Sequence, residues 1–160
     1  YGEAIRGVEI KTAPFPGFPT DLQAPFMALM TIAKGKSKIS ERIFENRMNH
    51  VDLLNQMGAS IKVKNNTAHI KGVKKLKGMN LVGSDLRSSA ALIIAALTSE
   101  DVSYIYGLEH LDRGYENFEC KLSKLGVKIT RQFLKKNETN DIKNIIKNSS
   151  NHQTSNIKAA

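Results

Sequence analysis

Two long apolar segments, each preceded by an aspartate, dominate the pattern of hydrophobic and polar positions along the chain. The segment 86–97 is apolar on every side after its first turn, and the segment 22–33 is mostly apolar. A helix without a polar face must be buried all round rather than along one stripe. The pattern therefore predicts two central helices that other elements cover.

The elements that follow the two apolar segments occur in the same order. A β-branched run predicts a strand, a polar link containing an arginine comes next, and an amphipathic helix, a glycine and a further strand close the unit. Asp21 and Asp85 lie 64 positions apart, so we interpret the chain as an internal duplication. The first strands are predicted at 38–44 and 102–106, the amphipathic helices at 50–57 and 117–125, and a β-hairpin at 59–70.

The composition changes after residue 133. Residues 1–133 contain the two predicted repeats, at about 4–72 and 73–133, and are long enough for one domain with a buried core. Asn, Lys, Ser and Thr dominate residues 134–160. A segment with so few apolar residues cannot offset the entropy lost on ordering, so we predict a largely disordered tail.

A formal net charge of +9 restricts the kinds of partner, and +3 of it lies in the tail. Such a charge suits nucleic acid, an acidic surface or small phosphorylated substrates. Few aromatic residues and no RNA- or DNA-binding motif argue against nucleic acid. The lysines are spread over predicted strands and loops, which indicates solvated surfaces rather than one binding face: Lys62, Lys64, Lys71, Lys74, Lys75 and Lys77.

The single cysteine, Cys120, excludes an internal disulfide and fits a reducing compartment, so we expect a cytoplasmic location. No stretch approaches the ~20 apolar residues of a membrane span and no signal peptide is recognised, so no membrane partner is expected. The histidines and the cysteine lack metal-ligand spacing, and we therefore expect no metal.

Polar residues open the second apolar helix. Ser84 or Asp85 can cap it, because a side-chain oxygen there accepts hydrogen bonds from the free N–H groups of the first turn. Arg87 is mildly disfavoured by the helix dipole at this position. It is either a solvated side chain or part of an anion-binding site at the helix N-terminus.

Asp21 lies between a stiff loop and the first apolar helix. The loop 14–19 contains three prolines, each of which fixes φ and restricts the preceding residue. Thr20 and Gln23 fit a capping box, which would leave Asp21 free for other chemistry. Asp21 is therefore either a helix cap or a functional carboxylate.

Four motifs carry a family resemblance: Thr12–Asp21 (TAPFPGFPTD), Phe44–Arg47 (FENR), Asp85–Arg87 (DLR) and Asp112–Glu116 (DRGYE). In this order, residues 4–133 resemble the C-terminal part of the UDP-N-acetylglucosamine 1-carboxyvinyltransferases; the tail has no counterpart in the resemblance. It implies an α/β fold, an inside-out α/β barrel of the enolpyruvyl transferase type. Helices lie inside and strands outside, in repeated β-α-β-α-β-β units, and this chain would form part of one of two domains.

The resemblance also implies an activity. The family transfers the enolpyruvyl group of phosphoenolpyruvate to the 3-hydroxyl of UDP-N-acetylglucosamine and releases phosphate, without a cofactor, as the first committed step of peptidoglycan synthesis. The expected partners are these two substrates and the N-terminal domain of the same protein. Alternatives are the sister transferase acting on shikimate 3-phosphate, which the motifs disfavour, and a non-enzymatic basic module that binds nucleic acid or an acidic protein.

Site residues follow from the matched motifs. Asp21 is expected to be the general base and to contact the UDP-sugar, Ile43 to contact the uridine nucleotide, and Asp85 to lie beside the reacting carbon in a role left open. Planar guanidinium groups grip carboxylates and phosphates in bidentate fashion. The arginines matched to the phosphoenolpyruvate site or the cleft are Arg47, Arg87 and Arg113.

Neighbouring residues are assigned lesser roles, and part of the family's machinery is missing. We expect Asp112 and Glu116 to orient Arg113, and His50 and His110 to be structural. The reactive cysteine loop, which supplies the general acid in the family, belongs to the other domain, and Cys120 lies in a different context. The chain alone is therefore predicted to be a transferase fragment without catalytic activity.

Overall fold

The computed structural model of the chain describes residues 4–133 and 155–159. The described residues form eight strands and five α-helices, with one 3₁₀ turn at Thr20–Leu22. In chain order these are β1 (Glu9–Lys11), α1 (Gln23–Met30), β2 (Lys36–Ser40), α2 (His50–Gln56), β3 (Ser60–Lys64), β4 (Thr67–Lys71), β5 (Asn80–Val82), α3 (Leu86–Ala96), β6 (Ser103–Tyr106), α4 (Glu109–Asp112), α5 (Phe118–Lys124), β7 (Ile129–Phe133) and β8 (Ser155–Ala159).

The first repeat folds into a four-stranded sheet with the strand order β1-β2-β4-β3. β1 runs parallel to β2, and β4 runs antiparallel to both of its neighbours. The hairpin between β3 and β4 turns at Asn65 and Asn66, whose φ values are 49° and 54°. Two successive positive φ values match the right-handed twist of the strands, and Asn tolerates them. The predicted hairpin is confirmed.

The second sheet repeats this arrangement, with the order β5-β6-β8-β7. β5 is parallel to β6, and β8 is antiparallel to β6 and β7. The predicted duplication is therefore confirmed. The prediction of a disordered tail is wrong for residues 155–159, because this segment forms β8 and fills the position that β4 fills in the first sheet. The rest of the tail lies outside the described residues.

α1 and α3 pack against each other at the centre of the fold. In α3 the six consecutive residues 88–93 are buried, and in α1 Met27 and Ala28 are fully buried. One continuous core joins these helices to inward-facing strand residues such as Ile39 and Ile105. The predicted all-round burial is confirmed, and it places the N-termini of α1 and α3 side by side.

Some boundaries differ from the sequence prediction. The strand predicted at 38–44 ends at Ser40, because the next residue turns its side chain into a buried hydrogen-bond network instead of continuing the ladder. α4 was not predicted, since a single helical turn leaves little periodicity to detect. None of the helices in the described ranges is long and apolar enough to cross a membrane.

The lysines of the first repeat are not scattered. Lys36 and Lys38 on β2, Lys62 on β3 and Lys71 on β4 all lie on the sheet face opposite the core, because the residues that alternate with them are buried. The prediction of dispersed lysines is wrong for Lys62 and Lys71. Sequence spacing cannot show it, because the pairing of β2 with β4 brings distant positions together.

Candidate active site

Three of the expected site residues meet at the N-termini of the two central helices. Arg87 donates a hydrogen bond from Nε to Oδ1 of Asp21 at 2.8 Å, and its Nη2 forms an ion pair with the same oxygen at 2.6 Å. Arg47 donates from Nη1 to the same oxygen at 3.1 Å. These residues come from the loop before α1, the loop before α2 and the first turn of α3. We call Asp21, Arg47 and Arg87 the ionic cluster.

The ionic cluster carries an excess of positive charge. The hydrogen bond from Arg87, its charge and the contacts from Arg47 together hold the pKa of Asp21 below its usual value, against the opposing effect of burial. The Asp21 side chain is 68% exposed, and among the described residues its Oδ2 accepts no hydrogen bond. One carboxylate oxygen is thus held by arginines while the other faces solvent.

Asp21 does not cap α1. The residues that precede the 3₁₀ turn and α1 are Pro19 and Leu22, and neither end has a side-chain cap. Of the two roles left open by the sequence, the structure supports a carboxylate available for other interactions. The capping box expected from Thr20 and Gln23 is absent from these helix ends, because the Thr20 hydroxyl hydrogen-bonds Glu41 instead.

Glu41 organises the loops that carry the ionic cluster, and sequence analysis missed it. It is 4% exposed, and its carboxylate accepts hydrogen bonds from the hydroxyls of Thr12 and Thr20, both at 2.8 Å. It also accepts from the backbone N–H groups of Ile43 at 2.8 Å and Phe44 at 3.2 Å. Burial raises the pKa of Glu41, but these hydrogen bonds outweigh it and hold the pKa below its usual value.

The network reaches Arg47 through the Thr20 hydroxyl, which accepts a hydrogen bond from Nη1 of Arg47 at 2.8 Å. The Arg47 guanidinium also lies over the Phe44 ring, 4.1 Å from its centre, in a cation–π contact. Both contacts fix the plane of the guanidinium. The sequence contains one signal for Glu41. It alternates with polar positions of a predicted strand and so falls on the predicted buried side, where a carboxylate requires hydrogen-bond partners.

Asp85 is the N-cap of α3. Its Oδ1 accepts hydrogen bonds from the backbone N–H groups of Arg87 at 2.9 Å and Ser88 at 3.0 Å. The cap predicted at Ser84 or Asp85 is therefore Asp85. By fixing the first turn of α3, Asp85 fixes the direction in which Arg87 leaves the helix. The role predicted for Asp85 in the reaction stays a prediction.

His50 lines a cavity of about 120 Å³ together with Arg47, Asp85 and Arg87. It is 3% exposed, and its Nε2 has no hydrogen-bond partner among the described residues. Burial lowers the pKa of His50 to about 4, although the charge of Asp85 opposes this. The imidazole is therefore neutral at physiological pH, and His50 contributes no positive charge to the cavity.

Two expected site residues lie outside the ionic cluster. Ile43 is 37% exposed on the loop after Glu41. Arg113 is exposed at the end of α4 and makes no hydrogen bond or ion pair within the described part of the chain. The expectation that Asp112 orients Arg113 is wrong. Asp112 instead accepts two hydrogen bonds from Arg131, at 2.9 and 2.7 Å.

The arrangement can bind an anion and supplies a proton acceptor. Two guanidinium groups fixed by packing can bind a carboxylate or phosphate, and a carboxylate with one free oxygen can accept a proton from a bound hydroxyl. Within residues 4–133 and 155–159, no group of three or more His, Cys, Asp or Glu residues could hold a metal ion.

Comparison with known proteins places this geometry in context. The family model of EPSP synthase (3-phosphoshikimate 1-carboxyvinyltransferase) matches residues 1–122. A UDP-N-acetylglucosamine 1-carboxyvinyltransferase of Prochlorococcus marinus subsp. pastoris (strain CCMP1986 / NIES-2087 / MED4) is 76% identical over 98% of this chain and 34% of its own length. Another, from Prochlorococcus marinus (strain MIT 9515), is 83% identical over 80% of this chain and 28% of its own length.

The chain thus spans about a third of the curated relatives that it matches, and one of these matches extends over most of residues 134–160, which the resemblance did not cover. Among solved structures, the enolpyruvyl transferase NikO from Streptomyces tendae superposes with a TM-score of 0.68 at 30% identity, covering 79% of this chain and 29% of that one. An EPSP synthase from Acinetobacter baumannii shares the fold, with a TM-score of 0.60 at 12% identity over 94% of this chain and 30% of that one.

Proposed function

Because the chain belongs to the EPSP synthase (3-phosphoshikimate 1-carboxyvinyltransferase) family, we propose that it forms one wall of the active site of a UDP-N-acetylglucosamine 1-carboxyvinyltransferase. Relatives with that name are 76% and 83% identical to it, whereas a solved EPSP synthase is 12% identical. These identities favour the sugar nucleotide over shikimate 3-phosphate as the acceptor. The product would enter peptidoglycan synthesis in the cytoplasm.

The ionic cluster would bind phosphoenolpyruvate. This substrate carries a carboxylate and a phosphate, and each matches the fork of donors on a guanidinium group. Arg47 and Arg87 are 20% and 29% exposed, so they are held in place yet remain reachable. Arg113, exposed and without a partner in the described residues, would reach the substrate only when the cleft closes.

Asp21 would act as the general base. The sugar 3-hydroxyl attacks the enol carbon of phosphoenolpyruvate and passes its proton to the carboxylate, while a general acid outside this chain protonates the neighbouring methylene carbon to a methyl group. Loss of phosphate from the tetrahedral intermediate, with loss of a proton from that methyl group, restores the double bond. A base must lie within hydrogen-bond reach of the proton that it removes. The solvent-facing Oδ2 of Asp21 meets this need while Oδ1 stays fixed by the arginines.

Substrate binding would also activate Asp21. With both arginines on Oδ1, the pKa of Asp21 is lowered and the carboxylate is a weak base. An anion that takes hydrogen bonds from Arg87 withdraws them from Asp21, so the pKa of Asp21 rises as phosphoenolpyruvate binds. The base then becomes stronger only when phosphoenolpyruvate is in place, which limits unproductive proton transfer.

The remaining machinery would come from a part of the protein outside this chain. The general acid expected for the family is a cysteine in the other domain, and the chain spans about a third of its relatives. The backbone of Ile43 would contact the uridine nucleotide, since its side chain has no polar group. We propose that the chain alone does not turn over substrate, and that domain closure over the ionic cluster completes the site.

The observation that carries this proposal is the contact between Asp21 of the first repeat and Arg87 of the second, at 2.6 Å. The test is phosphate release from phosphoenolpyruvate by the full-length polypeptide containing this chain, with UDP-N-acetylglucosamine or with shikimate 3-phosphate. We expect release with the sugar nucleotide alone. Release with the shikimate ester alone would assign the sister reaction, and release with neither would refute an enolpyruvyl transfer function.

A further inference from the structure

The outer face of the first sheet carries a dense group of positive charges. The buried residues Ile39, Ile61 and Ile70 face the core, so the residues that alternate with them face solvent. These outward positions bound a groove of about 680 Å³. Its ionisable lining residues are Glu9, Lys36, Lys38, Lys62, His69 and Lys71, which we call the basic face.

Strand register brings the lysines of the basic face into direct opposition. Lys36 on β2 lies opposite Lys71 on β4, and in the next outward row His69 lies between Lys38 and Lys62. Like charges directly opposite each other across a sheet are destabilising. Glu9 forms an ion pair with Lys38 at 3.2 Å, but Lys36, Lys62 and Lys71 have no carboxylate within 4 Å among the described residues.

The fold itself does not require this charge. In the second sheet, the row that matches Glu9, Lys38, His69 and Lys62 in register is Asn80, Tyr104, Lys158 and Thr130, so both lysine positions of this row are uncharged and the one lysine matches His69. Protection of a sheet edge from aggregation often uses lysine, and β3 is an edge strand. That role does not extend to β2 and β4, which are the two central strands and carry three of the four lysines.

We propose that the basic face is a docking surface for an acidic segment of a partner protein. Lysines two residues apart on one strand are about 6.6 Å apart, and alternate side chains of an extended acidic segment have the same spacing. Single-stranded nucleic acid needs aromatic rings for base stacking, and the groove lining has none. A free phosphate needs convergent donors, whereas these lysines are separate point charges on an open face.

The proposal is independent of the enzymatic function, because no residue of the ionic cluster lines the groove. It concerns only the first repeat and leaves the N-termini of α1 and α3 uncovered. A partner bound there would hold the protein by its outer surface and would leave the substrate side open.

The test is fluorescence anisotropy of a labelled polyglutamate peptide. It is titrated with the full chain and, in a separate experiment, with the variant Lys36→Gln/Lys71→Gln. The matched control is Lys121→Gln/Lys124→Gln, which removes the same charge from the exposed surface of α5 in the second repeat. We expect the first variant to weaken binding about tenfold, because it removes two solvent-exposed charge pairs that salt partly screens, and the control to bind as the parent does.

Three results would overturn the proposal. Equal loss in both variants would mean that net charge alone attracts the peptide. Unchanged binding by Lys36→Gln/Lys71→Gln would exclude the basic face. Tighter binding of a single-stranded oligonucleotide of the same charge, lost in the same variant, would assign the face to nucleic acid. Thermal unfolding verifies that each variant is folded, and removal of the Lys36–Lys71 repulsion should not lower its midpoint.

Discussion

The aspartates that precede the two central helices have different environments in the two repeats. Asp21 in the first repeat leaves the 3₁₀ turn with one oxygen on two arginines and the other facing solvent. Asp85 in the second repeat has turned back onto the helix and accepts hydrogen bonds from the N–H groups of α3. The same element order therefore accommodates a carboxylate held by arginines in one repeat and a helix cap in the other.

The difference arises from what precedes each helix. In the first repeat, Glu41 and the Thr12 and Thr20 hydroxyls hold the loop before α1, and α1 needs no side-chain cap. In the second repeat, β5 leads within a few residues into α3, and its first turn is closed by Asp85. A duplicated fold can thus free a polar residue for chemistry when a neighbouring loop takes over its structural role.

Substitution of Asp21 tests this contrast most strongly. In the full-length enzyme, Asp21→Asn removes the proposed base, and kcat should fall about 10²- to 10⁴-fold, the usual contribution of general base catalysis. Asp52→Asn, on the exposed side of α2, is the matched control and should leave kcat unchanged. Phosphate release measures both. Full activity of Asp21→Asn would exclude Asp21 as the base.

His50 provides the next largest effect, on stability. Its pKa is about 4 in the folded state and 6.5 in the unfolded state, so the unfolded state binds a proton first as the pH falls. The stabilisation is fully present above pH 6.5 and decreases by about 3 kcal/mol as the pH falls to about 4. Urea unfolding at several pH values should show this slope.

The matched variants for this experiment are His50→Gln, which should lose most of the slope between these pH values, and His69→Gln, at an exposed position of β4, which should keep it. The second repeat has no buried histidine at the start of α5 (Phe118–Lys124), so the pH dependence belongs to the first repeat. An unchanged slope in His50→Gln would contradict the buried neutral imidazole.

Glu41→Gln should produce a smaller loss. The amide replaces one acceptor oxygen with a donor, which leaves a buried hydroxyl or N–H group without its partner and costs about 1–3 kcal/mol of unfolding free energy. Because the pKa of Glu41 is lowered, its stabilisation is present above pH 4.5 and is lost as the pH falls below that value. Calorimetry at pH 7 measures the loss, and an unaltered melting midpoint would exclude the network as a stabilising feature.

Replacing Asp85 should have the smallest effect on stability. Asp85→Ala removes the cap and should cost about 1 kcal/mol, whereas Asp85→Asn keeps a good capping residue and should be nearly neutral. The same Asn variant decides the predicted catalytic role, because it keeps the helix end but removes the charge. If Asp85→Asn lowers kcat while the melting midpoint is unchanged, Asp85 also takes part in the reaction. The two aspartates would then not differ in function between the repeats.

The amino-acid pattern predicted the fold better than it predicted the contacts of the site. Apolar periodicity found α1 and α3 and their 64-residue spacing, because burial selects the residue type at each helical position. It did not find Glu41, since a buried carboxylate depends on donors from distant loops. It did not find the partner of Asp112 or the strand β8, since both depend on tertiary pairing rather than on local preference.

The position of β8 in the sequence also sets the order in which the two sheets can be completed during translation. β4 follows β3 after a two-residue turn, so every strand of the first sheet has been synthesised once Lys71 is added. In the second sheet, β8 (Ser155–Ala159) is one of the two central strands, and at roughly 5–20 residues per second it is synthesised several seconds later. The growing chain would thus hold a closed first sheet beside β6 and β7, whose facing edges stay unpaired until Ser155–Ala159 has been added.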